Sequence, residues 1–453
     1  MAIKAIILIG GPNKGQRFRP LSFDAPKYTF PVGGQAIIGH LIESCIALED
    51  LSEILLLGFY QQDGMLQIEN LQKLVQKFVE KRNHNGDNRR APAIRYLQEF
   101  TRMGTAGGMY HFRDQIRHGN PEAFLVINGD VCGDFDFESM LSQHRATVAG
   151  SEKMGLPAPY ITVMTTEAGR QESMNYGCIV ENCHSHVIEH YVEKPSTFVS
   201  TLISCGAYLC SPELLTLLEE TMHKKRREIG AGDSHIQQDV DHFDYLSLEY
   251  DILQQCCTQP RCFSYRTQGS WWCQIKTAAS AIYANRKYLE QFQRNDGNCQ
   301  YATERSEVSS ITCEIIGNVY IHPTARVDPT SVIGPNVSIM ENCIVGPGVR
   351  VRESILLQNS FIDSHTLVLC SIVGWNCRIG TWVRLEGTPN EPDPNQKFSK
   401  LQNQPLFNKE GKLNPSISVL GSNVKISGGT VILNTIVLPH KELSRSYKNE
   451  IVL

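Results

Sequence analysis

The sequence predicts an α/β protein of two domains: a Rossmann-like domain built on a mostly parallel sheet, followed by a left-handed parallel β-helix of hexapeptide repeats. Three observations carry this. The chain has 453 residues, more than one hydrophobic core usually supports. Short β-branched runs alternate with amphipathic stretches through its first half, the signature of strands joined by helices. In its last third, apolar residues recur at every sixth position.

The elements follow in order. Residues 3–9 form a β-branched run that Gly10 and Gly11 break, and residues 37–45 resume with helical spacing. Residues 53–58 read as a buried strand, 66–82 as an amphipathic helix, and 93–97 and 123–128 as two further strands. Such an alternation places a ligand crevice at the C-terminal ends of the strands. The polar stretches 83–90 and 223–234 read as exposed loops. A helical stretch over 277–292 closes a first domain of residues 1–292, and 293–314 is the linker. In the second domain, 315–453, Ile321, Val327, Ile333, Ile339, Val345 and Val351 keep the six-residue period. Val373, Ile379 and Leu385 form a second run, and Leu420, Ile426, Ile432 and Leu438 a third. Three short strands per triangular coil produce this pattern. Residues 387–415, with Pro389, Pro392, Pro394, Pro405 and Pro415, do not fit a coil and should project as a long loop. Functional and disordered readings of it both stand.

Composition narrows the function. A net charge of −4 gives no general affinity for nucleic acid, and the basic run 224–227 reads as a solvated loop. The 15 cysteines are scattered without paired metal-ligand spacing, which points to reduced, buried thiols and a cytoplasmic protein. No apolar run reaches the roughly 18 residues of a membrane span.

The chemistry-bearing residues lie at strand ends. Gly10 and Gly11 open a loop that allows close approach to phosphate oxygens, and Arg17 and Lys27 add positive charge suited to a nucleoside triphosphate. Asp130, after Asn128-Gly129, is placed to hold Mg²⁺ against nucleotide phosphates. Gly104 and Gly107 mark a second glycine-rich turn before a helix, suited to a base or ribose. Asn175 and Gly177 suit sugar hydroxyls, and Glu193 with Lys194 a sugar phosphate. Glu99 beside Gln98 can accept the paired N1–H and N2–H of guanine, or can be a surface carboxylate.

In this order the motifs resemble the sugar-phosphate nucleotidyltransferases, and the runs 95–100, 110–114 and 438–444 resemble the alpha type of mannose-1-phosphate guanylyltransferase over essentially the full length. The resemblance implies attack of mannose-1-phosphate on the α-phosphorus of GTP to give GDP-mannose and pyrophosphate. It would put Arg17 and Lys27 on the triphosphate, Asp130 on the metal, and Glu193 and Lys194 on the sugar phosphate.

The chain departs from the active members of that family. Their short phosphate turn is lengthened here by Pro12-Asn13-Lys14, with Gln16 in place of a threonine. Gln274 stands where a second metal-binding aspartate is usual, and it adds no charge to Mg²⁺. Tyr28 and Ser204 replace a proline and an asparagine. Binding can outlast catalysis, because the two need complementarity to different states. The expectation is a regulatory subunit that binds GDP-mannose and partners a catalytic beta-type paralogue, with self-association through the β-helix. The alternative is a slow but genuine guanylyltransferase. A hexapeptide acyltransferase would need a catalytic histidine, for which only His322 and His365 are candidates.

Overall fold

The computed structural model describes residues 2–11, 16–60, 68–83, 91–231, 244–267, 269–296, 300–301, 313–388 and 417–453. They form two compact units. The first draws on residues 2–11 and 38–272, the second on 16–37, 273–388 and 417–453.

The first unit is built on nine strands: β1 (Ile3–Gly10), β2 (Leu51–Gly58), β3 (Ala93–Gln98), β4 (Ala123–Asn128), β5 (Ile161–Glu167), β6 (Gly177–Glu181), β7 (Ile188–Glu193), β8 (Leu202–Cys210) and β9 (Cys262–Arg266). The sheet runs β7-β6-β8-β4-β1-β2-β3, with β5 pairing both β8 and β9. Strands β4, β1, β2 and β3 pair in parallel, the arrangement that intervening helices impose. Beyond them β8 pairs antiparallel with β4, β5 and β6, so the sheet is parallel on the side the sequence made legible and mixed on the other. Every residue of β8 is buried, as a strand covered on both faces requires. Lys4 is buried within β1 because Glu53 lies 3.0 Å from its ammonium and the Gln115 carbonyl accepts from it at 2.8 Å. Such pairing is what permits a charge inside a sheet.

Helix α1 (Ile37–Ile46) follows the expected spacing, and α2 (Ile68–Asn83) occupies the second amphipathic stretch. Helix α3 (Gly104–His111) begins at Gly104 itself, so the second glycine-rich segment is the first turn of a helix rather than a turn before one. Helix α4 (Phe137–Lys153) is capped by Asp136, whose carboxylate accepts from Ser139 N at 3.0 Å. Helix α5 (Glu213–Ala231) corrects the loop expected over 223–234. Leu214, Leu215, Leu218 and Met222 bury one face, and the Lys/Arg/Glu run continues it with good helix formers. Of the two expected polar loops, 84–90 and 232–234 lie outside the described residues.

The second unit holds three all-parallel sheets of eight, seven and six strands, in which successive short strands pass from one sheet to the next. This is a parallel β-helix, consistent with the left-handed coil that the hexapeptide period predicts. The period is not uniform. Ile321 pairs with Ile339, eighteen positions on, but Ile339 pairs with Leu356, seventeen on. Leu356, Ile362 and Val368 are accordingly buried core positions that a strict count of six passes over. For the same reason Val437, not Leu438, is buried after Ile432. The corners turn on single residues in the left-handed region, among them Glu353 (φ 48°), Cys370 (φ 45°) and Asn434 (φ 46°). Asparagine tolerates that region best among side-chain-bearing residues. Asn342, Asn359 and Asn376 stack along one edge with amide hydrogen bonds of 3.2 and 3.1 Å.

Helix α6 (Gln254–Cys257) belongs to the first unit, and helix α7 (Ala278–Asp296) clusters with the β-helix. Helix α7 runs four residues past its expected end, into the start of the expected linker. Its buried Asn285 accepts from Gly33 N (2.8 Å) and Ser338 Oγ (2.6 Å) and donates to the Asn336 carbonyl (3.2 Å). Arg286 pairs with Glu353 at 3.0 Å. Segment 16–37 is held to the same body by Phe18 against Phe30 and Phe30 against Trp375, both edge-on. Residues 389–415 of the expected projecting loop lie outside the described residues, but the coil register is kept across them: Ile372 pairs with Val419 and Ile379 with Ile426.

Candidate functional site

In the first unit Gly10, Gly11, Gln98, Glu99 and Asp130 lie at or just past the C-terminal ends of the parallel strands β1, β3 and β4, whereas Gly177 opens β6 and Glu193 ends β7, an antiparallel pair. Gly10 ends β1 with φ 72°, and its carbonyl accepts from Phe59 N at 2.8 Å. A Cβ at Gly11 would press on Phe59 at 3.1 Å. Asn128 ends β4 against Gly206, where the backbone of β8 takes φ 73° and a Cβ would lie 2.7 Å from Asn128 Nδ2. Gly129 N donates to the Leu8 carbonyl at 2.9 Å. Asp130 is therefore presented, half-buried, at the mouth between β1 and β4, the position at which open α/β sheets bind ligands.

Gln98 ends β3, and the Glu99 amide donates to the Gly58 carbonyl at 2.8 Å. The Glu99 carboxylate lies against helix α3 where a Cβ at Gly108 would collide with Oε1. Gly104 and Gly107 have a definite use: Cβ atoms there would strike the Leu246 and Asp244 carbonyls, and Leu246 O accepts from Ala106 N (3.0 Å) and Gly107 N (3.1 Å). The close approach these glycines permit is made by the chain's own backbone, which also occupies donors at the α3 N-terminus. The sequence reading overlooked Glu249. Its Oε2 accepts from Thr105 Oγ1 (2.8 Å) and Ser247 Oγ (2.9 Å), while Thr105 Oγ1 accepts from Leu248 N (2.8 Å). Nothing in the local sequence around Glu249 signals this, since its partner is 144 positions away.

Glu193 and Lys194 follow at the end of β7. Tyr191 Oη donates to Glu193 Oε2 at 2.7 Å, and the Lys194 ammonium is bonded to Glu193 Oε1. Gly177 must be glycine, because a Cβ there would collide with Tyr191 Oη. Lys194 N donates to the Tyr176 carbonyl at 3.1 Å, with Lys194 itself at φ 45°. Burial pulls the Lys194 ammonium down. The bond and charge of Glu193, with Tyr250 and Glu249 nearby, outweigh it and hold the group above its ordinary value. Asn175 N donates to the Glu172 carbonyl at 2.9 Å, in the turn leading to Gly177. Ser204 is buried, and its hydroxyl accepts from Gly206 N at 3.2 Å, within the β8 irregularity.

Arg17, Lys27 and Gln274 belong to the second unit. Arg17 is exposed in a short turn (Gln16–Phe18), and Lys27 is half-buried at the start of another (Lys27–Thr29) beside the buried Tyr28. Gln274 is half-buried at the end of the strand Trp272–Gln274. The residues present fit a divalent cation poorly: among the described residues no group of three or more His, Cys, Asp or Glu could hold a metal, and position 274 offers a neutral amide. His322 and His365 sit on β-helix corners. His322 Nδ1 lies 2.9 Å from Thr324 Oγ1, and His365 stacks on Trp382 at 4.5 Å between ring centroids. No described helix is long and apolar enough to cross a membrane.

A family model of nucleotidyl transferases matches residues 4–291, and one described as the GMPPB C-terminal domain matches 315–452. Among curated proteins, mannose-1-phosphate guanyltransferase alpha-A of Xenopus laevis is 47% identical over 455 residues. The proteins named mannose-1-phosphate guanylyltransferase regulatory subunit alpha of Sus scrofa and Drosophila melanogaster are 47% and 46% identical. Each match covers 100% of both chains. The chain belongs to the nucleotidyl transferase family, in its mannose-1-phosphate guanylyltransferase alpha, or regulatory-subunit, branch.

Proposed function

We propose that this chain is a regulatory subunit of GDP-mannose synthesis: it binds GDP-mannose in the first unit, associates with a catalytic beta-type guanylyltransferase in the cytoplasm, and carries feedback inhibition to it. The observation that carries this reading is the pairing of a retained sugar-end group, Glu193 with Lys194, with the loss of a carboxylate at Gln274. In the proposed complex Glu193 accepts from mannose hydroxyls and Lys194 lies toward the phosphate. Gln98 and Glu99 accept from the guanine edge, and Gly10, Gly11 and Asp130 line the diphosphate. Asn175 and Gly177 bound the sugar, and the neutral Gln274 can hydrogen-bond a ligand but adds no charge to a metal. Arg17 and Lys27 are vestiges of the triphosphate site. Mg²⁺ at Asp130 is weakened by the neutral Gln274, and loss of one preorganised charged partner typically costs on the order of 10² to 10³ in rate. The names of the relatives support the regulatory part of the reading. The retained Arg17, Lys27 and Asp130 favour the alternative of a slow guanylyltransferase.

The test is GDP-mannose inhibition of a purified beta-type enzyme with and without this chain. The chain should increase sensitivity to GDP-mannose at least about tenfold, and Glu193→Gln should remove most of that increase, as expected when one charged hydrogen bond worth about 1.5–3 kcal/mol is lost. Equal inhibition with and without the chain would refute the regulatory role.

A further inference from the structure

Helix α7 and one corner of the β-helix, both in the second unit, bound an open cavity of about 110 Å³. At roughly 30 Å³ of liquid per water, that is room for a few waters or one compact ion. Tyr283 and Arg286 line it from α7, and Arg352, Glu353, Cys370 and Glu386 line it from three successive coils.

The backbone marks the same place. Asn336, Glu353, Cys370, Asn434 and Asn449 turn one corner column of the β-helix, all in the left-handed region. Asparagine bears that conformation at least cost, yet the two positions on the cavity carry Glu353 and Cys370 instead. Strained backbone of this kind clusters where ligands are held.

The acceptors along the wall are engaged. Glu353 Oε2 accepts from Arg286 Nε (3.3 Å) and Nη2 (3.0 Å), and its Oε1 accepts from Asn336 Nδ2 (2.8 Å). Glu386 Oε2 accepts from Arg384 Nε at 2.6 Å. Three carbonyls of the wall each accept twice. Arg352 O accepts from Cys370 N (3.0 Å) and Ser354 Oγ (2.7 Å), and Leu369 O from Gly387 N (2.9 Å) and Ser371 Oγ (2.6 Å). Glu386 O accepts from Asn434 N (2.9 Å) and Ser418 Oγ (2.6 Å).

Donors remain. Arg286 is clamped by Glu353 with further N–H groups to spare. Arg352 is exposed and has no ion pair or side-chain hydrogen bond among the described residues. Because Arg286 matches Glu353 and Arg384 matches Glu386, Arg352 leaves the described lining with an uncompensated positive charge. Burial pushes the Cys370 thiol up to about 11, so it stays a neutral, weak donor.

We propose that this cavity binds a compact oxyanion, the phosphate of free phosphate or of a small phosphomonoester, held by the Arg286 and Arg352 guanidinium groups. A guanidinium fork matches phosphate oxygens, and Glu353 fixes one fork before the ion arrives. The bound ion ties α7 to the coils that carry Arg352 and Cys370. The site shares no residue with the candidate nucleotide-sugar site, so it stands whether or not GDP-mannose binds.

The full chain is titrated calorimetrically with inorganic phosphate at fixed ionic strength. Saturable binding should weaken at least about tenfold in Arg352→Gln, as loss of a charged hydrogen bond requires. It should change less than about twofold in Arg350→Gln, which removes the same charge from the same strand outside the cavity. On the unsubstituted chain, phosphate should slow amide hydrogen exchange in peptides covering 279–286 and 352–370, and chloride should not. Glycerol phosphate binding at least as tightly as inorganic phosphate identifies a phosphomonoester site, and weaker binding identifies the free ion as the ligand. Absence of saturable binding, a loss in Arg352→Gln no greater than in Arg350→Gln, or unchanged exchange in both segments would overturn the proposal. The exchange measurement decides it even if Arg352→Gln folds poorly.

Discussion

The β-helix and the sheet unit bury their interiors by opposite means. In the β-helix each core residue stacks on its counterpart one coil away, so local repetition supplies the core: Val345 on Ile362, Ile362 on Ile379, Ile379 on Ile426. In the sheet unit the important contacts join distant parts of the chain. Thr105 meets Glu249, Gly206 receives Asn128, and Lys4 reaches both Glu53 and Gln115. Repetition spreads the cost of an error over neighbours that resemble one another, whereas convergence concentrates function in a few irreplaceable contacts.

That contrast can be broken most sharply at Ile362, which is fully buried in the β-helix stack. Ile362→Asp puts an unpaired carboxylate there and should cost about 4 kcal/mol or more in urea unfolding. A loss under about 1 kcal/mol would mean the coil tolerates charge and the packing argument fails.

The sheet unit's counterpart is His144, buried with Nδ1 2.8 Å from Thr162 Oγ1 and Nε2 3.1 Å from Ser211 Oγ. Burial lowers its pKa from 6.5 to about 4. The fold thus favours the neutral ring. Its contribution is complete above pH 6.5 and is lost as pH falls through about 4, amounting to about 3 kcal/mol. Denaturation midpoints of the wild type and His144→Gln should converge over that window, because the variant lacks the titrating ring. Parallel pH curves would show that His144 does not carry the acid sensitivity.

Smaller effects separate the glycines. Gly177→Ala would drive a methyl into Tyr191 Oη and should cost about 1–3 kcal/mol, together with weaker GDP-mannose binding through displaced Glu193. Gly150, inside α4, has nothing within 4 Å of an added Cβ. Gly150→Ala should stabilise by up to about 1 kcal/mol, and thermal unfolding of the two variants checks both signs.

The same contrast explains what was legible in the sequence. Periodicity reports local repetition, so the β-helix and the strands β1 to β4 are legible in the sequence. Its failures are local too: a corner one residue shorter moves the core from a count of six to Leu356, Ile362 and Val368. The antiparallel β8 and the role of Glu249 depend on partners far along the chain, to which no spacing rule points. The glycines Gly104 and Gly107 were visible, but not what approaches them, because the approaching carbonyls come from residues 246 and 244. Helix α5 was hidden by its charged exposed face, which reads as a loop unless the leucines before it are counted as the same helix.

The central claim is a pocket that binds a nucleotide sugar without substantial chemistry, and pyrophosphate release from GTP and mannose-1-phosphate by the purified chain tests it most directly. GDP-mannose binding would be measured on the same preparation, with Asp130→Asn and Gln274→Asp alongside. The account predicts binding by the unsubstituted chain and no Asp130-dependent release of pyrophosphate. Robust turnover that Asp130→Asn abolishes would contradict it and make the chain an enzyme in its own right.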